Sequence, residues 1–193
     1  MDFFARVSPH YDSFMQLMGN EKNIRRTLAS VKNLRPGQRL LDVGGGTGTL
    51  ALAAQRQGLD VWVADTSEEM LMHAHRKGIP RERLVLADAA ALPFPHVFFD
   101  IVTCTDALHH FSEPTSGLTG MTQVLRSQGE LVILDFDRHH LITRALAAAE
   151  RLFGEPSTFF TPDELQDALT SMGVAGSIRL ISRWQYLYHG ERI

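Results

Sequence analysis

Arg39-Leu40-Leu41-Asp42-Val43-Gly44-Gly45-Gly46-Thr47-Gly48-Thr49-Leu50-Ala51-Leu52 is the stretch that decides the fold. A short apolar run carrying one carboxylate near its end stops at a cluster of glycines, and an Ala/Leu-rich run follows. That order reads as strand, tight turn and helix. Glycines suit such a turn because it requires backbone angles that a Cβ opposes, and because a ligand can lie directly on a backbone without side chains. The first turn of the helix adds unpaired N–H groups, so the segment is a ligand cradle. Its spacing, Asp42-x-Gly44-x-Gly46-x-Gly48, differs from the G-x-G-x-x-G dinucleotide fingerprint, and no phosphate-binding lysine follows it.

Working outward, the apolar residues Phe14, Leu17, Met18, Ile24, Leu28 and Val31 recur at helical spacing upstream, with Gly19-Asn20 dividing them into two helices. Residues 1–34 are expected to form a helical cap over the site, and residues 38–193 the core of a single domain. Downstream, strands are predicted at 60–64, 84–86, 99–104 and 131–135, separated by helices at 66–77 and 113–126 and by a Pro93/Pro95 loop. Thr66, with Glu69 three residues on, is expected to cap the first of those helices. A helix at 141–153 follows. Thr161-Pro162-Asp163-Glu164 then starts another with a capping threonine, proline at the first position and glutamate at the third. Two final strands, at 177–181 and 184–188, are expected to be antiparallel. Alternating strands and helices argue for an α/β fold, a mostly parallel sheet with helices on both faces and right-handed crossovers.

The composition is that of an ordinary globular chain of 193 residues, 44% hydrophobic and 21% charged. A net charge of −3 gives no field to attract nucleic acid. The lone cysteine, Cys104, lies in an apolar run and excludes a disulfide framework. The N-terminus lacks a basic segment followed by a long apolar stretch, and no run reaches membrane-spanning length, so a cytoplasmic protein is expected. Oligomeric state is open, a homodimer included.

In open α/β sheets, ligands bind outside the carboxyl ends of the strands. Four successive strands here end on polar residues: Asp42 with the glycine turn, Asp65, Asp88, and Thr105 with Asp106. The glycine turn resembles motif I of the class I S-adenosylmethionine (SAM)-dependent methyltransferases. The segment Asp65-Thr66-Ser67-Glu68-Glu69-Met70-Leu71 is similar to that family's D-x-S-x-x-M-L, and Asp88-Ala89-Ala90-Ala91-Leu92-Pro93-Phe94-Pro95 with Phe99-Asp100-Ile101-Val102 is similar to its D-A-x-x-L-P-F…F-D-x-V. The leader, residues 4–12, resembles the A-x-x-Y-D of the ubiquinone/menaquinone C-methyltransferase branch.

The resemblance implies a type 11 methyltransferase domain with a Rossmann-like, seven-stranded, doubly wound sheet whose last strand is antiparallel. It implies SAM as cofactor, S-adenosylhomocysteine (SAH) as product, and a cofactor site drawn from Tyr11, Asp42, Gly44, Gly46, Gly48, Asp65, Thr66, Met70, Asp88, Ala89 and Thr105. Asp65 would accept both ribose hydroxyls, Asp88 the adenine amino group with the Ala89 N–H on a ring nitrogen, and Met70 would cover the adenine. Two departures stand out. Ser127-Gln128 replaces the Pro-Gly of the family's V-L-K-P-G-G turn, and the connection from Asp135 to Thr161 is too short for the long insertion of the quinone-methylating branch, which counts against a prenylated quinone as acceptor.

Methyl transfer to a small-molecule acceptor needs in-line placement, and a base only where the acceptor must lose a proton. His109 and His110 follow the fourth strand and are the candidates for that base; their alternative is packing against the next helix and facing solvent. The pairs His73/His75, His109/His110 and His139/His140 lack the i, i+4 spacing of a helical metal site, so none is expected. Two other readings stay open: a catalytically inactive SAM/SAH-binding sensor or interaction protein, and a nicotinamide dehydrogenase, which the glycine spacing disfavours.

Overall fold

The central strands are continuous apolar runs because they are covered on both faces, with every residue of 40–43 and 61–64 buried. A computed structural model describes residues 20–152 and 157–193. The first of the two helices expected upstream, and Tyr11 with it, lie outside the described residues. In chain order the elements are α1 (Asn20–Ser30), β1 (Arg39–Val43), α2 (Thr49–Gln55), β2 (Asp60–Asp65), α3 (Glu68–Arg76), β3 (Leu84–Leu86), β4 (Phe99–Thr105), α4 (Pro114–Val124), β5 (Leu125–Phe136), α5 (Leu141–Leu152), α6 (Pro162–Ser171), β6 (Val174–Leu180) and β7 (Gln185–Arg192).

The strands form one seven-stranded sheet in the order β3-β2-β1-β4-β5-β7-β6. The pairs β1–β2, β1–β4, β2–β3 and β4–β5 are parallel, and β7 runs antiparallel to β5 and β6. This is the doubly wound sheet with an antiparallel last strand that the resemblance implies. Alternate strand residues feed two apolar layers. Leu41, Val43, Trp62, Val102 and Cys104 pack with Leu118 and Met121 of α4 and with Leu165 and Leu169 of α6. On the other face Leu40, Val61, Val63 and Ile101 pack with Ile24 and Leu28 of α1, Leu50 and Ala51 of α2, and Leu71 and Ala74 of α3. The tail alternates as a strand period demands: Tyr186 and Tyr188 are fully buried in the first layer, and Leu187 belongs to the second.

Several boundaries differ from the sequence expectation, each for a tertiary reason. The cap of α3 is Ser67, whose hydroxyl accepts the Met70 N–H at 3.4 Å, and not Thr66. Asp65 Oδ1 accepts the Ser67 N–H at 2.9 Å, an Asx turn that delays the helix by one residue. Strand β5 starts at Leu125 rather than 131. Phe99 pairs with Leu125 but Ile101 with Glu130, so residues 126–129 bulge out of the ladder. Gln128 takes φ 61° there, in the position left by the missing Pro-Gly. The last two strands are longer than their apolar cores, because Gly176 and Gly190 face each other across β6 and β7 where any Cβ would collide with the Tyr188 hydroxyl. That hydroxyl donates to the Val174 carbonyl at 3.2 Å. The box at Thr161 is as expected: Thr161 accepts the Glu164 N–H at 3.2 Å and Glu164 accepts the Thr161 N–H at 2.8 Å.

Helix α1 is tied down at its end by Glu130, which accepts the Lys32 and Asn33 N–H groups at 2.8 and 3.1 Å and pairs with His189 at 2.6 Å. Its other end approaches the carboxyl edge of the sheet, where Asn23 and Thr27 reach Asp106 and Thr105.

Candidate active site

Strands β1 and β4 are neighbours, yet the helix after β1 packs on one face of the sheet and the helix after β4 on the other. Their connections diverge and leave a crevice at the carboxyl ends. The glycine turn fills its floor. Gly44, Gly46 and Gly48 have φ 67°, 52° and 72°, a region that side chains oppose. The Gly44 and Gly45 N–H groups donate to the Ala64 carbonyl at 2.8 and 3.3 Å, which clips the turn to β2. A Cβ on Gly44 would lie 2.6 Å from Ala107 Cβ, so this glycine also admits the loop after β4; Gly46 faces open space.

Two adjoining hollows occupy the crevice. The larger, about 250 Å³, is lined by Gly44, Gly46, Asp65, Thr66, Met70, Asp88, Ala89, Asp106, Ala107, His110, Phe111 and Ser112. The smaller, about 50 Å³, lies between Ile24 of α1 and the turn, and takes in Asp42, Thr105 and again Gly44, Gly46 and Asp106. The structure therefore brings together ten of the residues singled out from sequence: Asp42, Gly44, Gly46, Asp65, Thr66, Met70, Asp88, Ala89, Thr105 and His110. It does not bring Gly48, which heads α2 and packs against Ile79 and Ala74 of the α3 layer, nor His109, which is buried behind the wall.

Asp65 does more than end a strand. Its Oδ2 accepts the Gly46 N–H at 2.8 Å while Oδ1 holds Ser67, so one carboxylate braces the glycine turn and the start of α3. Asp88 Oδ1 accepts the Ala90 N–H at 2.8 Å, heading a single helical turn, 89–91, that α4 packs against through Gly120. The ring of Phe111 leans over Gly44 and Gly117.

Burial dominates the electrostatics. Asp42 is pushed up to about 7, because desolvation outweighs the hydrogen bond it accepts from Thr103 at 2.9 Å, with repulsion from Asp65 adding to the rise. Asp106 is pushed up to about 6, again by burial first, against the bond from Asn23 at 2.9 Å and with repulsion from Asp135. Gln185 donates to its other oxygen at 3.3 Å, so Asp106 ties α1 and β7 to the crevice. Burial, with the nearby His109, pulls His110 down to about 3.

The two histidines have separate positions. His109 is held by Asp135, which accepts its backbone N–H at 3.0 Å and sits 2.6 Å from its Nδ1. Its ring stacks on Phe159 with centroids 4.7 Å apart and leans on the His110 ring at 4.0 Å. Sequence reasoning placed Asp106 at the strand end without giving it a role, and missed Phe111, Asn23 and Asp135. For Phe111 a signal existed, an aromatic one turn beyond the strand. For Asn23 and Asp135 there was none, since their partners are 83 and 26 residues away.

A glycine turn at a switch point, flanked by strand-end carboxylates, defines a doubly wound domain that binds a nucleoside-bearing ligand. A methyltransferase-domain family model matches residues 41–133. The ubiquinone/menaquinone biosynthesis C-methyltransferase UbiE of Paraburkholderia phymatum is 34% identical, over 70% of this chain and 59% of that protein. The demethylmenaquinone methyltransferase of Renibacterium salmoninarum is 33% identical, over 81% of this chain and 71% of its own length. The match thus spans about three fifths of the first relative's length. In fold, the methyltransferase solved with the Haloferax volcanii Trm112 activator superposes with a TM-score of 0.82 at 15% identity, over 99% and 98% of the two chains. The chain belongs to the SAM-dependent methyltransferase family. Among its described residues no helix is long and apolar enough to cross a membrane.

The buried carboxyl of Asp42 sets a pH dependence whose sign follows from its raised value. Between its ordinary 3.8 and about 7 the folded chain holds a proton there that the unfolded chain has lost, so this contribution to stability falls as pH rises. Asp42→Asn keeps an acceptor for Thr103 and removes the titration. Its melting temperature is expected to exceed the parent's at pH 8 and to converge on it near pH 4; the same difference at both values would contradict the assignment.

Proposed function

We propose that the protein transfers the methyl group of SAM to a small-molecule acceptor and releases SAH. The observation that carries this reading is the convergence of the glycine turn with Asp65, Asp88 and Asp106 on one hollow, and with Asp42 on its neighbour. Each group matches one part of SAM. In this reading the adenosine fills the larger hollow, with the adenine between Met70 and Phe111, its amino group on Asp88 and its ring nitrogen at Ala89. The ribose hydroxyls lie against Asp65 on the wall of the larger hollow, and Thr66 closes that edge. The methionine moiety runs over Gly44 and Gly46 into the smaller hollow beside Asp42 and Thr105. SAM is cationic at its sulfonium and ammonium, so the carboxylates that repel one another in the free protein gain a counter-charge. Helix α1 completes the domain on that side, with Ile24 on the wall of the smaller hollow.

The activity named for one relative, C-methylation in ubiquinone/menaquinone biosynthesis, favours carbon as the nucleophile. His110 is the member of the histidine pair on the hollow's wall. As a neutral imidazole it accepts a hydrogen bond from the acceptor and orients it, while His109, locked by Asp135, positions His110. Asp106, poised near neutrality, is the better matched proton acceptor. In-line placement and exclusion of water supply the rest of the rate.

Two measurements test this reading. Calorimetric titration should give binding of SAM and SAH and none of NAD, and Asp65→Ala should weaken SAM by about 1.5–3 kcal/mol through loss of hydrogen bonds to a charged acceptor. Binding of NAD in place of SAM would return the dehydrogenase reading, and unchanged affinity in the variant would remove Asp65 from the site. With an identified acceptor, kcat/KM should fall as pH drops through about 6, where Asp106 takes up its proton. The acid limb should persist in His110→Ala and vanish in Asp106→Asn; the reverse pattern would make His110 the base.

A further inference from the structure

Beyond the crevice, a second cavity of about 460 Å³ is bounded by Arg138, Arg144, Ser157, Thr158 and Phe159, with Ala147 and Ala148 on the α5 side. It abuts the histidine pair. The Thr158 N–H donates to the His109 carbonyl at 2.8 Å, and Phe159 is the ring stacked on His109, which in turn touches His110 on the wall of the larger hollow.

Among the described lining residues the charge is one-sided. Two arginines, a serine and a threonine line it together with Phe159, and no carboxylate is among the described lining residues. Arg138 gives one arm of its fork to Glu164, at 2.6 Å between Nη2 and Oε1, in a half-exposed pair. No carboxylate among the described residues pairs with Arg144. Two positive charges on one cavity repel each other unless an anion lies between them, and the planar guanidinium fork matches the two oxygens of a carboxylate or phosphate. An apolar wall of Phe159, Ala147 and Ala148 suits a ring or short hydrocarbon attached to that anion.

We infer that this cavity is the acceptor's anion subsite: the methyl acceptor is a small, ring-bearing molecule with a carboxylate or phosphate held by Arg138 and Arg144, and its reacting end directed past the histidine pair toward SAM. This rests on the methyltransferase reading for the identity of the reaction, and on the cavity alone for the class of ligand. A neutral prenylated quinone has no group for the two arginines.

The test is calorimetric titration of the full chain with benzoate, phenyl phosphate and neutral benzamide, performed with and without saturating SAH. At least one of the two anions should bind tenfold or more tighter than benzamide, and the stronger of them assigns the oxyanion as carboxylate or phosphate. Arg144→Gln, a substitution at an exposed position, should weaken the anion at least tenfold while leaving SAH affinity unchanged. Glu164→Gln retains a residue able to close the capping box at Thr161 and releases the Arg138 fork, so anion affinity should rise severalfold. Anions that bind no better than benzamide, or an affinity that neither substitution changes, would overturn the subsite. Failure to bind SAH, with the anions still held, would overturn the cofactor reading and leave the anion site standing.

Discussion

The reversal of winding between β1 and β4 is the constraint on which the site depends. Once the chain leaves β1 for one face of the sheet and β4 for the other, the carboxyl ends of these neighbours cannot be covered by their own connections. What lies there must close the gap without filling it. Gly44 does so because the loop after β4 presses against it through Ala107, leaving no room for a Cβ. The turn's shape is then held from the side by Asp65, whose carboxylate joins Gly46 to the start of α3. A single acidic residue at the end of β2 thus acts as brace for the loop while lining the larger hollow.

Clustering buried carboxylates in the crevice is costly. Asp42 and Asp106 are both lifted toward neutrality by burial, and each has a repulsive carboxylate nearby, Asp65 for the first and Asp135 for the second. Neutral partners, Thr103 for Asp42 and Asn23 and Gln185 for Asp106, moderate the cost without cancelling the charge. A cationic ligand removes the conflict, which ties the charge pattern directly to the proposed cofactor. The same bonds from Asn23 and Gln185 anchor α1 and β7 to the crevice, so elements from both ends of the described chain bear on one carboxylate.

Much of this was legible in the sequence where the signal is local. Strand ends, the glycine turn and the Thr161 box each lie within a few residues, and their chemistry dictates one geometry. The start of α3 was misplaced by one residue because Asp65 turns the chain before Thr66 can cap it. The bulge at 126–129 was unreadable because it answers to the register against β4. Gly48 belongs to the same glycine cluster as Gly44 and Gly46, yet it serves packing against Ile79, a contact made across 31 residues. His109 and His110 are adjacent in sequence and indistinguishable there; only the buried Asp135, on the next strand, separates the held ring from the one on the wall.

The crystal structure of the SAH complex tests the central claim most directly. The account predicts both ribose hydroxyls within hydrogen-bonding distance of Asp65, the Gly46–Asp65 bond retained, and the adenine between Met70 and Phe111. A ribose held elsewhere, or a glycine turn that releases Asp65 on binding, would contradict it.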